Sequence, residues 1–196
     1  RLAFLIADVS GKGITAAMFM MKAKTLLKSY ADREADAAAI LTKANQALCE
    51  ENDAEMFVTC WMGILNLGTY ELVFANAGHN PPAVRHGNGE FEFLVFRPGF
   101  VLGAMENICY RTGMMKLEPG DEIYLYTDGV TEAEDENPQF YGNERLLKIL
   151  NTVKYSDAET VCRTVKKDVD SFVGEAPQFD DITMLCLRII SENTVK

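Results

Sequence analysis

Three stretches of the chain place aspartates where an apolar run meets residues that allow tight turns: LAFLIADVSGKG with Asp8, EIYLYTDGVTEAED with Asp128, and PQFDDITMLCLRI with Asp180 and Asp181. Each aspartate falls at a strand edge. Strand ends are rigid, so positions far apart in sequence can converge on one point, and carboxylates that converge repel one another unless a cation offsets their charge. The chemistry this predicts is a Mg²⁺ or Mn²⁺ site. Zinc is disfavoured, because His79 and His86 are the only histidines and no cysteine pair has CxxC spacing.

Each stretch alone has a simpler reading. Asp128-Gly129 can be a plain turn, Asp180 and Asp181 can cap their loop, and Asp8 can bond its own turn and the amides of the following helix. Their joint occurrence is what favours a metal. SGKGIT imitates the end of a phosphate-binding P-loop but has Ile6 in place of the first glycine and Gly13 in place of the magnesium-binding hydroxyl. No cysteine stands in a C-x5-R arrangement, which removes thiol phosphatase chemistry. His79, in AGHNPPAV, reads as shaping a chain reversal, and Trp61 and the methionines at 18 to 21 read as core.

The elements that must hold these residues follow from periodicity. Helical spacing covers 14–30, 36–50, 143–153 and 157–173, the first of them apolar on most sides in its opening half, as for a helix whose start is buried. Strand patterns cover the run before Asp8 and then 57–67, 71–76, 91–96, 108–117, 121–127 and 182–190. Blocks of strands segregated from blocks of helices predict an α+β fold with mostly antiparallel sheets.

With 196 residues and 48% hydrophobic composition, the chain is the size of one large domain, at roughly 100 to 200 residues each. Its 19 Lys and Arg against 29 Asp and Glu give a net charge of -10, which argues against nucleic acid as a partner. Five scattered cysteines suit reduced thiols and a cytoplasmic setting. No stretch approaches the ~20 apolar residues of a membrane span, so no direct membrane contact is expected. The abrupt apolar start at Arg1 reads as a cut from something longer.

Taken in order, ADVSGKGITAAMFM, FVTCWMGILNLGTYELVFANAGHNPPAV, LEPGDEIYLYTDGVTEAED and FDDITML closely resemble the bacterial serine phosphatases of the stage II sporulation protein E type, members of the metal-dependent PPM superfamily (2C-like). The resemblance runs from Leu2 to about Ile190. It implies one catalytic domain over 1–196, with two mostly antiparallel sheets packed as a sandwich and flanked by helices. It also implies a centre of two Mn²⁺ or Mg²⁺ ions and hydrolysis of phosphoserine or phosphothreonine by metal-bound water. Carried over residue by residue, Asp8 matches the bridging ligand and Val9 the position whose carbonyl binds one metal. Asp128 matches the aspartate of the Thr-Asp-Gly turn, Asp180 the last ligand, and Asp181 the adjacent polar position. The implied partner is a phosphorylated regulatory protein of the anti-sigma-factor antagonist type, with sensory or membrane segments N-terminal to the domain in a longer parent.

Two departures from the pattern bear on function. The family's first strand pair, with a Gly-Gly-Asp type motif and a further metal carboxylate, has no counterpart after Arg1. The domain is therefore expected to lack its N-terminal strands, to bind metal weakly and to expose a sheet edge open to homodimer pairing. The second departure is Ser10, which stands where eukaryotic relatives carry a His. The alternative function is a catalytically silent module of the same fold that acts by binding or dimerising. The methionines of the first helix, Met18, Met20 and Met21, also suggest a helix able to shift and so regulate the Asp8 turn.

Overall fold

The structure, a computed structural model, describes residues 1–50, 52–154, 156–178 and 180–190. Phe179, within the third aspartate stretch, lies outside the described residues. In chain order the elements are β1 (Leu2–Val9), α1 (Ile14–Ala31), α2 (Ala37–Cys49), β2 (Val58–Leu65), β3 (Glu71–Ala77), β4 (Ala83–Arg85), β5 (Phe91–Phe93), β6 (Gly113–Lys116), β7 (Glu122–Tyr126), α3 (Asp128–Thr131), α4 (Gly142–Thr152), α5 (Ala158–Val173) and β8 (Met184–Arg188). Two four-stranded antiparallel sheets result, in the orders β1-β2-β3-β6 and β5-β4-β7-β8. With their flanking helices they make the α+β architecture that segregated blocks predict. Among the described residues no helix is long and apolar enough to cross a membrane.

The chain divides into two compact units, the first comprising Arg1–His79 and Phe96–Lys116, the second Asn80–Val95 and everything from Leu117. In the first unit, alternation along β1 sends Leu5, Ala7 and Val9 to the core shared with α1 and α2. Phe4 and Ile6 take the opposite face, where Phe4 meets Trp61 at 5.7 Å between ring centroids and Trp61 stacks on Phe74 at 5.6 Å. Trp61 is core, as its strand pattern predicts.

α1 differs from expectation. Its buried face is Ala16, Ala23 and Leu27, with Phe19 and Met20 half-buried beside them, whereas Ile14, Met18 and Met21 are 81%, 69% and 60% exposed. Small alanines let the helix backbone lie close to the sheet, and that choice of face turns the large methionines outward. The expectation of a buried helix start is thereby corrected, and with it the core assignment of Met18 and Met21. α2 is regular: Asp36 caps it by accepting the Ala38 amide at 3.0 Å, and Ile40, Leu41, Ala44 and Leu48 are fully buried.

In the second unit all five residues of β7 are buried, the continuous pattern of a central strand. α5 covers this sheet with Val161, Val165 and Val169 at helical spacing, all with zero exposure. Their burial contributes up to about 1.5–3 kcal/mol each. Asp157 caps the helix by accepting the Thr160 amide at 2.8 Å. Glu122, fully buried on β7, is neutralised by Arg85 at 3.0 Å and approached by Arg188 at 3.4 Å. β4 lies in a stretch whose prolines read as a simple reversal, and the strand expected over 108–117 is regular only at Gly113–Lys116.

Candidate metal centre

The antiparallel register of β7 and β8 ends with Tyr126 opposite Met184, so the residues just past β7 must lie beside those just before β8. This alone brings the Thr127-Asp128-Gly129 turn next to Asp180 and Asp181. Three hydrogen bonds fix the approach. The Thr127 amide donates to the Thr183 carbonyl at 3.0 Å, the Thr127 hydroxyl donates to the Asp181 carbonyl at 3.0 Å, and the Thr183 amide donates back to that hydroxyl at 3.0 Å. Thr127 is itself buried, at 2% exposure. Gly129 is required by the same closeness, because a Cβ there would sit 2.3 Å from the Asp181 carbonyl oxygen.

Asp128 opens a single helical turn, α3, instead of the plain β-turn that Asp-Gly suggests; its carbonyl accepts the Glu132 amide at 2.7 Å. Its Oδ1 is buried and has no hydrogen-bond partner among the described residues. A buried carboxylate oxygen left unpaired is costly in an isolated protein and is what a cation ligand requires. Asp180 is half-buried, and its Oδ1 accepts the Asp181 amide at 2.9 Å while Gln178 donates to its carbonyl at 2.8 Å. Asp181 is exposed. Glu132, one helical turn beyond Asp128, has its carboxyl pKa raised by partial burial and then by the negative charges of Asp128 and Asp180. Three carboxylates therefore share one neighbourhood, though among the described residues no group of three or more His, Cys, Asp or Glu forms a ready-made ion cage.

Asp8 and Val9 belong to the first unit, at the end of β1. Asp8 is half-buried on the face of Phe4 and Ile6 and pairs in register with Thr59. Beyond it the chain is pinned through Ser10, whose amide donates to the Phe57 carbonyl at 2.9 Å and whose hydroxyl accepts the Phe57 amide at 2.9 Å. Gly11 and Gly13, at φ 74° and 86°, carry the turn into α1 in a conformation other residues resist. His79 is 5% exposed and holds its own reversal, with its amide donating to Asn76 Oδ1 at 2.8 Å and its Nδ1 2.8 Å from the Thr59 hydroxyl. Burial pushes the Cys60 and Cys186 thiols up to about 12, so neither is a nucleophile at neutral pH.

The donor set fits a hard divalent cation: aspartate oxygens, one of them buried and unpaired, with no soft ligand among them. Two participants escape a sequence reading centred on the aspartates. Glu132 carries one available signal, its position four residues after Asp128 in TDGVTE, which a helical turn places on the same side. Thr127 carries none, since its importance lies in bonds to residues 54 and 56 positions away.

The sequence profile of the family described as Stage II sporulation protein E (SpoIIE) matches residues 1–190. The chain is 31% identical to the phosphoserine phosphatase RsbU of Bacillus subtilis over 185 residues, covering 93% of this chain and 54% of RsbU. Against Protein IcfG of Synechocystis the identity is 27% over 95% of this chain and 33% of that protein. The chain thus spans between a third and about half the length of these relatives. Among solved structures, the SiaA-PP2C domain of Pseudomonas aeruginosa superposes with a TM-score of 0.83 at 24% identity, covering 95% of this chain and 75% of that one. The catalytic domain of the serine threonine protein phosphatase PstP, in complex with 2 manganese ions, has the same fold at a TM-score of 0.67 and 15% identity, covering 96% and 88%. With the family profile matched over nearly its whole length, the chain belongs to the Stage II sporulation protein E (SpoIIE) family.

Proposed function

We propose that this chain is a metal-dependent protein-serine phosphatase domain that hydrolyses phosphoserine on a regulatory partner protein of the anti-sigma-factor antagonist type. The observation that carries the reading is the buried, unpaired Oδ1 of Asp128, held beside Asp180 by the Thr127 bonds. RsbU, a phosphoserine phosphatase by name, supports the substrate class, and the manganese ions of PstP support Mn²⁺ or Mg²⁺ as cofactor.

Asp8, Asp128 and Asp180 would hold the ions, with the Val9 carbonyl as a further ligand and Asp181 beside them. When bound, such ions acidify water and offset charge on the phosphoryl oxygens. The chain's own residues supply immobility. Asp8 ends a strand paired along its whole length with β2, and the Thr127 hydroxyl locks the Asp181 carbonyl so that the Asp180–Asp181 segment cannot drift from Asp128. Ser10 is engaged with Phe57 and has no acid to offer a leaving group. Glu132 adds negative charge at the edge, which strengthens cation binding and disfavours an unaccompanied phosphate.

The test is release of inorganic phosphate from a phosphoserine peptide with Mn²⁺ and with EDTA. The expected result is Mn²⁺-dependent release that falls at least about a hundredfold in Asp128→Asn, the scale of losing a transition-state charge stabiliser. Release that is equal with EDTA rejects the reading.

A further inference from the structure

Beside the carboxylates the second unit contains a cavity of about 270 Å³. Its base is apolar: Val169 is fully buried, and Val173 and Ile182 are half-buried. Its rim is acidic, formed by Glu132, which is exposed, and by Glu134 and Asp180, which are half-buried. No Lys, Arg or His is among the described residues that line it. The volume lies just below the ~300–1,000 Å³ usual for small-molecule and cofactor sites, which suits a side chain or two of a bound segment better than a nucleotide-sized ligand.

We propose that this cavity is a specificity subsite for the phosphoprotein substrate, taking an aliphatic side chain whose sequence neighbour is Arg or Lys. The inference deepens the phosphatase reading and rests on it. Two features of the cavity define the occupant. Val169, Val173 and Ile182 offer only apolar surface, so the seated side chain must be aliphatic, since a polar group there would lose water without gaining a partner. Glu132, Glu134 and Asp180 repel an acidic neighbour and attract a basic one, in a chain whose net charge of -10 already disfavours acidic segments. Because Asp180 lines the cavity and is also a proposed metal ligand, a segment seated here has its phosphoserine only a few residues from the ion site. Discrimination among phosphoproteins then comes from residues flanking the phosphoserine, while the carboxylates act on the phosphoryl group.

The experiment uses fluorescein-labelled decapeptides with a central serine, phosphorylated or not, carrying Leu-Arg, Ala-Arg or Leu-Glu within two residues on either side. Binding is read by anisotropy in EDTA, so nothing is turned over, and phosphate release is read separately with Mn²⁺. Leu-Arg peptides are expected to bind about tenfold tighter than Ala-Arg or Leu-Glu peptides, a difference of about 1.4 kcal/mol. Ala176→Trp, at a wall of the cavity, should remove the preference for Leu over Ala. Glu134→Gln, on the rim, should weaken the preference for Arg over Glu while leaving that for Leu. Equal binding of all peptides, or preferences that persist in both variants with native thermal melts, overturns the subsite. Preferences that hold without any Mn²⁺-dependent phosphate release support the subsite and reject the phosphatase reading instead.

Discussion

The Thr127 hydroxyl donates to the Asp181 carbonyl at 3.0 Å, and through that bond the end of β7 fixes the segment that enters β8. The hydroxyl also accepts the Thr183 amide, so one buried oxygen serves both segments. Thr127→Val keeps the shape and removes both bonds, leaving the part-buried Asp181 carbonyl and Thr183 amide without that partner; the expected loss is about 0.5–1.5 kcal/mol per bond in urea unfolding. Thr127→Ser should retain most of the stability. Calorimetric titration should then find Mn²⁺ affinity lowered in the valine variant and preserved in the serine variant. Equal affinity in both would separate the Thr127 bonds from the ion site.

Gly129 makes a second prediction that depends on backbone alone. The methyl of Gly129→Ala would meet the Asp181 carbonyl at 2.3 Å, and neither partner is a flexible side-chain tip. The loop must shift, at a cost of about 1–3 kcal/mol. Amide hydrogen exchange should report it locally, with faster exchange at Thr183 and Thr127 and unchanged exchange in α1 and α2. Uniform change across the chain would contradict a local clash.

Glu132 predicts a pH effect in the metal-free protein. Its folded pKa is raised, so between the unfolded value, about 4.3, and the folded one the native state holds the extra proton. The stability associated with that proton is present below the unfolded value and is lost as pH rises through the folded value. Glu132→Gln removes the loss, so without metal the variant should melt at or above the wild-type temperature at pH 7, and the two should converge near pH 4. Because Glu132 is exposed, solvent screening keeps the effect small. A variant that melts lower at pH 7 in EDTA would contradict the assigned like-charge field.

How much of this was legible in the sequence depends on whether the cause is local. The valine stripe of α5 announces itself because periodicity records which face is buried, and the apolar runs of β1 and of residues 123–126 in β7 mark strands. The aspartates stand out in the sequence because Asp8 and Asp128 follow such runs and Asp180 and Asp181 precede one. α1 was misread at Met18 and Met21, since composition cannot say which of two apolar faces a helix buries when small alanines occupy one of them. The three residues of β4 were hidden because they are strand only through pairing with β5 and β7. The Thr127 bonds depend on a register set by the whole of β7 and β8, and no spacing within TDG encodes them.

The most direct test is calorimetric titration of the chain with Mn²⁺, compared with Asp128→Asn, which conserves shape and removes the charge. The buried Oδ1 of Asp128 has no hydrogen-bond partner among the described residues, so the substitution breaks none of the bonds seen there. The wild-type chain is expected to bind Mn²⁺ measurably, and the variant to lose at least about tenfold in affinity, equivalent to about 1.4 kcal/mol, while melting no lower without metal. Mn²⁺ affinity that is the same in both proteins would contradict the placing of a metal at Asp128.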